Sequence, residues 1–584
     1  MTSLSSIAAD LQNGRSDEAA TLQALLEVLA LEPEHGDALT LAGFCLVRLG
    51  RAAEAQALLD RVLAREPGRW LAWANRAEAR LLAGDKAGAA EDYRQAAALR
   101  PCPEFFINLA SLLDELGDQP GRREALNRAL DLDPTSPGAL NNLGLWHEDA
   151  GEKEQALACF ELAAASDPES RDVAENLSRL LITRAKPLED GDPECLREFL
   201  ETTLARYPRL PAFHLRLGEW LLARHENERA GEHFSRLIEL QPENPTGYAN
   251  YAITLHRQKR LEEALDWHRR AAALKGADGI MAEMRAKRAF SLLLLGRLRE
   301  GFADAEARNF SKTVYHEMPA PRWDGRPFPN QTLLLHTEQG FGDSIHFIRY
   351  AAMAKALSPT GTVAIACEPA LERLFHHVPG IDLVTVLPQF PKQCHWQIPL
   401  LSLPYVFGTE METIPASIPY IDIPKPPASQ GPRPLRIALI WFGNPKYQDN
   451  HRRSCPLSFF APLGMLPGIE WISLQCGPAA AEMAACPWLH DLSPGLTDFY
   501  ETALRIQEVD LVISVDTSVA HLVGALGKPL WLLLHQVPDW RWLLDRNDCP
   551  WYPTARLFRQ ERDGEWGSVI ADVETALREK LENP

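Results

Sequence analysis

Four residues in one short stretch have the types and the spacing to hold an anion. Between Val509 and Leu534 the apolar run Leu511 to Val515 stops at Asp516, Thr517 and Ser518, small polar residues able to cap a helix. A second apolar run, Leu530 to Leu534, follows Gly527-Lys528-Pro529. The pattern predicts a strand, a capped helix and a strand, and strands this continuously apolar suit a parallel sheet covered on both faces. Ligands of such sheets sit beyond the carboxyl ends of the strands, where Asp516, Thr517 and Ser518 fall. The unpaired N–H groups of the helix start favour an anion such as a diphosphate, and His521, in the first turn, adds a donor. The plainer expectation is that the three polar residues only cap a helix and that His521 is a satisfied surface histidine.

A chain of 584 residues is long enough for two to four domains. Its net charge of −19 argues against nucleic acid or an anionic membrane as the main partner. There is no apolar run of about 18 residues, and the start M-T-S-L-S-S-I-A-A-D-L-Q lacks a basic segment followed by an apolar one, so a cytoplasmic protein without a membrane span is expected. The ten cysteines contain no C-x-x-C pair and read as reduced, mostly buried small hydrophobes.

The first half of the chain repeats. Pro67, Pro101, Pro134 and Pro168 recur at a period near 34, as do Pro208 and Pro242, and this is the period of the tetratricopeptide repeat. Gly43 with Ala55, Gly144 with Ala156 and Phe160, and Gly218 with Ala230 and Phe234 take matching places, small residues letting paired helices approach and bulky ones filling the seam. The wider gap between Pro168 and Pro208 contains Lys186 to Pro193, where a longer loop is expected. Further units run through Tyr248, Ala252, Ala264 and Ala271, and from Met281 to Asn309. The array predicts an α-solenoid over residues 1–310 whose concave face takes extended peptides; a spacer or a dimerisation surface is the alternative, so oligomers through the repeats are possible.

A proline-rich connector, 311–330, precedes alternating strands and helices. Strands are predicted at Thr332 to His336, Thr362 to Cys367 and Asp382 to Leu387, with a tight turn at Gly340 to Asp343 and helices at Ser344 to Leu357 and Ala370 to His377. A second proline-rich stretch, Ile414 to Pro434, reads as an interdomain linker. It divides an α/β lobe at 331–425 from one at 426–584, which opens on the strand Leu435 to Trp441 and closes on the helix near Val569 to Leu581.

Several motifs together carry a resemblance: E-Q-G-F-G-D (Glu338 to Asp343), W-F-G-N-P (Trp441 to Pro445) with R-R-S (Arg452 to Ser454), S-L-Q-C-G (Ser473 to Gly477), V-D-T-S-V-A-H-L-V-G-A-L-G-K-P (Val515 to Pro529), and P-D-W-R-W-L-L (Pro538 to Leu544) before C-P-W-Y-P (Cys549 to Pro553). In their order the chain resembles bacterial tetratricopeptide-repeat glycosyltransferases, its C-terminal half being similar to the heptosyltransferases and more distantly to O-linked N-acetylglucosamine transferase. The resemblance implies two facing Rossmann-like lobes of the GT-B type and a nucleoside-diphosphate sugar used without metal or other cofactor. The absence of a D-x-D pair at a strand end in this half agrees, Asp491 and Asp510 having no such partner.

Without a metal the leaving diphosphate needs helix N–H groups and cations. Thr517 and Ser518 open that helix, and Arg453 is the expected cation, with Arg452 and Lys446 as substitutes. Asp343 matches the aspartate of the family's glycine-rich turn and is expected to deprotonate the acceptor hydroxyl, giving inversion at the anomeric carbon. An aspartate there also stabilises a helix start by itself, and His336 and Glu338 are alternative bases. Gly342, Trp441, Gly443, Asn444, Gln475 and Gly477 are expected to line the nucleotide-sugar pocket, while Trp540 and Trp542 read as core anchors. Departures from the family pattern fall at His535 and at Lys446 to His451. The expectation is an inverting glycosyltransferase acting on a protein or glycan acceptor held by the solenoid. The rival is a non-catalytic repeat scaffold with an inactive α/β half; neither a P-loop nor a G-x-G-x-x-G after a strand supports another nucleotide-binding enzyme.

Overall fold

The computed structural model describes residues 17–189, 193–308, 320–427, 433–447 and 449–582. The connector segment 311–319 and part of the expected linker, 428–432, lie outside the described residues. The chain forms two compact units: one runs to Arg224 and takes in Glu239–Gln241, and the other comprises His225–Ile238 and the chain from Pro242 onward.

The first unit consists of antiparallel helix pairs. Gly36–Arg48 packs on Ala52–Arg65, Trp70–Leu82 on Lys86–Leu99, and Pro137–Asp149 on Lys153–Ser166. The seam explains the small residues. A Cβ on Gly144 would stand 2.5 Å from the Phe160 ring, while Ala55, Ala156 and Phe160 are fully buried. The turn inside each pair needs a left-handed residue: Gly50 has φ +72°, its N–H bonding Val47 O (3.0 Å) while Arg51 N–H reaches Leu46 O (2.8 Å). Within the expected loop at Lys186 to Pro193, Lys186 to Glu189 are helix, and 190–192 lie outside the described residues. Arg171–Glu189 continues to within three residues of the next helix, Pro193–Arg206, because Leu177, Leu180, Leu181 and Ala185 bury one face and outweigh the break that Pro187 invites.

In the second unit the same turn position is held by His225 (φ 64°) and Lys259 (φ 62°), where the first unit has glycine. A side chain in the left-handed region costs about 1 kcal/mol, which contacts of the side chain can offset. Two all-parallel sheets follow. β1 (Thr332–His336), β2 (Thr362–Cys367), β3 (Leu383–Val386) and β4 (Trp396–Pro399) lie in the order β3-β2-β1-β4. β5 (Leu435–Ile440), β6 (Ile469–Ser473), β7 (Leu489–Asp491), β8 (Leu511–Val515), β9 (Leu530–Leu534) and β10 (Ala555–Arg559) lie in the order β10-β9-β8-β5-β6-β7, which reverses between β8 and β5. The helix Trp566–Glu582 buries Val569, Ile570 and Val573 against the second sheet's core.

The helices that close the helical region belong to the α/β core. Leu261, Leu293, Leu294, Leu298 and Phe302 share one apolar cluster with Leu333 and Leu335 of β1 and Ile440 of β5. The described part of the Ile414 to Pro434 stretch is also packed: Tyr420 N–H bonds Ala525 O (3.0 Å), Asp422 N–H bonds His377 O (2.9 Å), and Ile421 and Ile423 are buried. Among the described residues no helix is long and apolar enough to cross a membrane.

Candidate functional site

Parallel strands place every following loop at one edge of a sheet, and here those edges meet in a cavity of about 1150 Å³ within the second unit. It is lined by segments following β1 (Gln339 to Asp343), β5 (Phe442 to Pro445), β6 (Leu474 to Pro478), β8 (Asp516 to Val519) and β9 (His535, Val537 to Arg541). Ile253, His256, Arg257, His268, Lys287 and Phe290, from the repeat helices Pro245–Arg257, Leu261–Ala272 and Met281–Leu294, form another part of its wall.

Two helices start at this cavity, Phe341–Phe347 and Ser518–Ala525. Gly342 lets them touch: a Cβ there would meet His521 Cδ2 at 2.8 Å and Ser518 Cα at 3.4 Å. Thr517 occupies the N-cap position but does not cap. Its hydroxyl lies 3.3 Å from Ser514 Oγ, and the amides of Ser518 and Val519 have no acceptor among the described residues. The plain capping expectation therefore fails, and two donors remain directed at the cavity end of the helix.

Asp343 is the back-cap of the first helix, with Oδ2 accepting from Gly340 N–H (3.1 Å), and an ion pair, with Oδ1 2.5 Å from Arg541 Nη2. Arg541, almost completely buried, also meets Asp539 (2.9 Å). Burial pushes the Asp343 carboxyl above its ordinary value, against the pull of Arg541. The Asp516 carboxyl is pushed up to about 6, by burial first and by the Asp539 charge second, with Arg453 opposing. Arg453 stacks on Tyr447 (4.4 Å) and bonds Asn450 Oδ1 (3.2 Å), but has no carboxylate partner among the described residues. Gly443 makes room for it, since a Cβ there would lie 2.7 Å from Arg453 Nε.

A second polar group joins the repeats to the cavity loops inside the unit. His225 Nδ1 accepts from Arg257 Nη1 (3.2 Å) and Arg452 Nη1 (3.3 Å), which leaves the ring proton on Nε2, 3.0 Å from Asp449 Oδ1. The Asp449 carboxyl is held down at about 2, by His225 first and by Arg257 and Arg452 as well. This is the use made of the left-handed histidine.

Several expected residues stand elsewhere or act differently. Trp441 does not line the cavity: period-2 alternation turns its ring into the core on the other face of the second sheet, fully buried. Gln475 lines the wall, but its Oε1 accepts from Trp441 and Phe442 N–H (3.1 and 2.9 Å) and its Nε2 donates to Cys476 O (2.8 Å), so its amide clamps the β5 and β6 ends. Asn444 and Gly477 line the cavity, the Asn444 carboxamide turning back to Lys446 N–H (3.0 Å). Arg452 is committed to Asp563, and Lys446 is not part of the wall. Neither alternative base reaches the cavity: His336 bonds Gln397 (2.9 Å) and Glu338 pairs with Arg308 (2.7 Å).

Arg541, Asp539, Tyr552 and His346 were not singled out from sequence. In the D-W-R-W run the tryptophans stand out, and the available signal is an arginine between two of them beside an aspartate. Tyr552 falls in the C-P-W-Y-P run without a role of its own and His346 gives no signal, since their partners are remote in the chain.

Residues 10–81 and 103–277 match models described as tetratricopeptide repeat. Over 512 residues, 81% of this chain and 83% of the other, the sequence is 25% identical to Protein FlbA of Caulobacter vibrioides, a span longer than the repeats alone. Among solved structures, MamA resembles 28% of this chain over 94% of its own (19% identity, TM-score 0.26). YrrB, a TPR protein with an unusual peptide-binding site, resembles 41% over 99% of its own (15% identity, TM-score 0.27). With the helix pairs described above, the family matches make the region from residue 10 to residue 277 a tetratricopeptide-repeat array.

Proposed function

We propose that the cavity binds a nucleoside-diphosphate sugar between two Rossmann-like lobes of the GT-B type and that the sugar passes, with inversion, to a protein or glycan hydroxyl reaching the cavity from its repeat-side wall. The observation that carries the reading is the pairing of free helix amides at Ser518 and Val519 with the guanidinium of Arg453, which has no carboxylate partner among the described residues, on one cavity at the carboxyl ends of both sheets. An acceptor oxygen attacks the anomeric carbon, the bond from that carbon to the diphosphate oxygen breaks, and the acceptor's proton goes to Asp343. The negative charge left on the diphosphate is met by Arg453, by the two amides and by His521. Burial of Asp343 raises its affinity for that proton. Arg541 holds the carboxylate in place and tempers its basicity.

One observation favours a second reading, a repeat scaffold whose α/β half binds without transfer: both Asp343 oxygens are engaged, by Gly340 and by Arg541. Calorimetry and thermal shift against UDP-, GDP-, ADP-, dTDP- and CMP-sugars, with and without EDTA, separate these readings when followed by assay for released nucleotide. Binding by one nucleotide class, lost in Arg453→Ala, with nucleotide release in the presence of acceptor, is the expected result. Binding without release under any acceptor supports the scaffold, and no binding refutes the donor site.

A further inference from the structure

We propose that Tyr552 and His346 fix the tautomer of His521, so that a neutral imidazole presents its Nε2–H, and not a lone pair, to the cavity. The three side chains form one buried chain: His346 Nδ1 lies 2.8 Å and His521 Nδ1 2.9 Å from the single hydroxyl of Tyr552. All three rings are buried, and the His521 ring lies flat on Trp542 (5.3 Å between centroids, 16° between planes), which sets its orientation.

The tyrosine hydroxyl has one proton for two imidazole nitrogens. It can donate to one, and the other must then carry its own proton on Nδ1 and donate to the hydroxyl. Tyr420, close enough to raise the proton affinity of Tyr552 further, makes its own hydrogen bonds elsewhere, its proton going to Ile345 O (3.0 Å) and its oxygen taking Arg349 Nη2 (3.0 Å). Among the described residues the Tyr552 hydroxyl has only the two histidine nitrogens within hydrogen-bond geometry. The two histidines are therefore opposite tautomers. His346 decides which is which. Its Nε2 is buried with no hydrogen-bond partner, and a buried orphan N–H is rarer and costlier than a buried orphan acceptor. His346 accordingly holds its proton on Nδ1 and donates to Tyr552, whose hydroxyl donates to His521 Nδ1. The remaining proton of His521 is on Nε2, beside Gly342, where an added Cβ would stand 3.5 Å away. His521 lines the cavity, and its Nε2 has no partner among the described residues. Burial, with Arg541, Arg349 and Arg453 around it, keeps this ring neutral, and burial keeps the proton on Tyr552. Tyr552 and His346 are positioning residues; the donor is His521. The chain itself stands on hydrogen-bond counting alone, and only the identity of what accepts the Nε2–H, a diphosphate oxygen, rests on the function proposed above.

The test uses the full chain labelled with 15N-histidine, with two-bond proton–nitrogen correlations reporting which nitrogen is protonated and His521→Gln assigning the signal. His521 is expected in the Nε2–H form at neutral pH, shifting to a mixture in Tyr552→Phe. His346→Asn, whose amide N–H can replace Nδ1–H, is expected to keep the Nε2–H form, and His346→Leu to lose it; both avoid relying on one variant that fails to fold. Titration with inorganic pyrophosphate is expected to weaken about twofold to tenfold in Tyr552→Phe, because only the fraction of rings in the Nε2–H form can donate. An Nδ1–H form in the wild type, or an unchanged tautomer in Tyr552→Phe, overturns the relay. Equal pyrophosphate affinity in the wild type and Tyr552→Phe overturns its role in presenting the donor. A fixed Nε2–H tautomer in a protein that does not bind pyrophosphate upholds the relay and refutes the diphosphate site.

Discussion

Removing the repeats at residue 310 is expected to destroy the α/β half, whereas cutting after Arg224 preserves it. Leu261, Leu293, Leu294, Leu298 and Phe302 are each no more than 4% exposed and share a cluster with β1 and β5. Losing a fully buried side chain of this size forfeits about 2 kcal/mol of transfer free energy, and five make about 10 kcal/mol. That equals the whole stability of an ordinary domain, about 5–15 kcal/mol. The partners left behind, among them Phe347 and Trp540, which Phe302 meets at 6.4 and 5.5 Å, would face water. Purified fragments 311–584 and 225–584 are compared by near-ultraviolet circular dichroism and thermal melting. The short fragment is expected to aggregate or melt without cooperativity, and the longer one to melt cooperatively. A cooperative melt of 311–584 near that of the full chain would refute the shared core.

Gly342→Ala places a Cβ 2.8 Å from His521 and is expected to cost about 1–3 kcal/mol by overpacking, read as a lower melting temperature together with weaker pyrophosphate binding. Asp516→Asn is expected to stabilise the unliganded protein near pH 7.5, since the rise of the carboxyl from 3.8 to about 6 corresponds to about 3 kcal/mol. The raised folded value means that the native state binds the extra proton, so wild-type stability falls as pH rises from about 4 to about 6 and the gap then stays constant. About half of the gap should be gone by pH 5, and a variant no more stable than the wild type at pH 7.5 contradicts the assignment. Asp343→Asn is expected to leave donor binding within about twofold while lowering turnover about a hundredfold or more, the ordinary contribution of a general base. Full turnover in that variant removes Asp343 from the chemistry.

The repeats were legible in the chain because each helix pair repeats its own local grammar: a proline near the helix start, a small residue at the seam, and, in the first unit, glycine at left-handed turns such as Gly50, Gly84, Gly117 and Gly151. The strands β1, β2, β8 and β9 were legible too, since runs of three to five apolar residues bounded by turn residues have few alternatives. Strand period and strand end also located most of the cavity segments, as a parallel sheet delivers all its loops to one edge. Local pattern did not settle that Phe442 lines the cavity while Trp441 is fully buried away from it, since one step of a strand reverses a side chain. Nor could it join Asp343 to Arg541, 198 positions apart, or His346 to Tyr552, 206 positions apart, because such contacts carry no local period. The boundary of the compact units inside the repeat array was likewise decided in three dimensions. Similar helix-pair grammar serves both units, and the apolar faces that share a core with β1 and β5 set the final helices apart from the first.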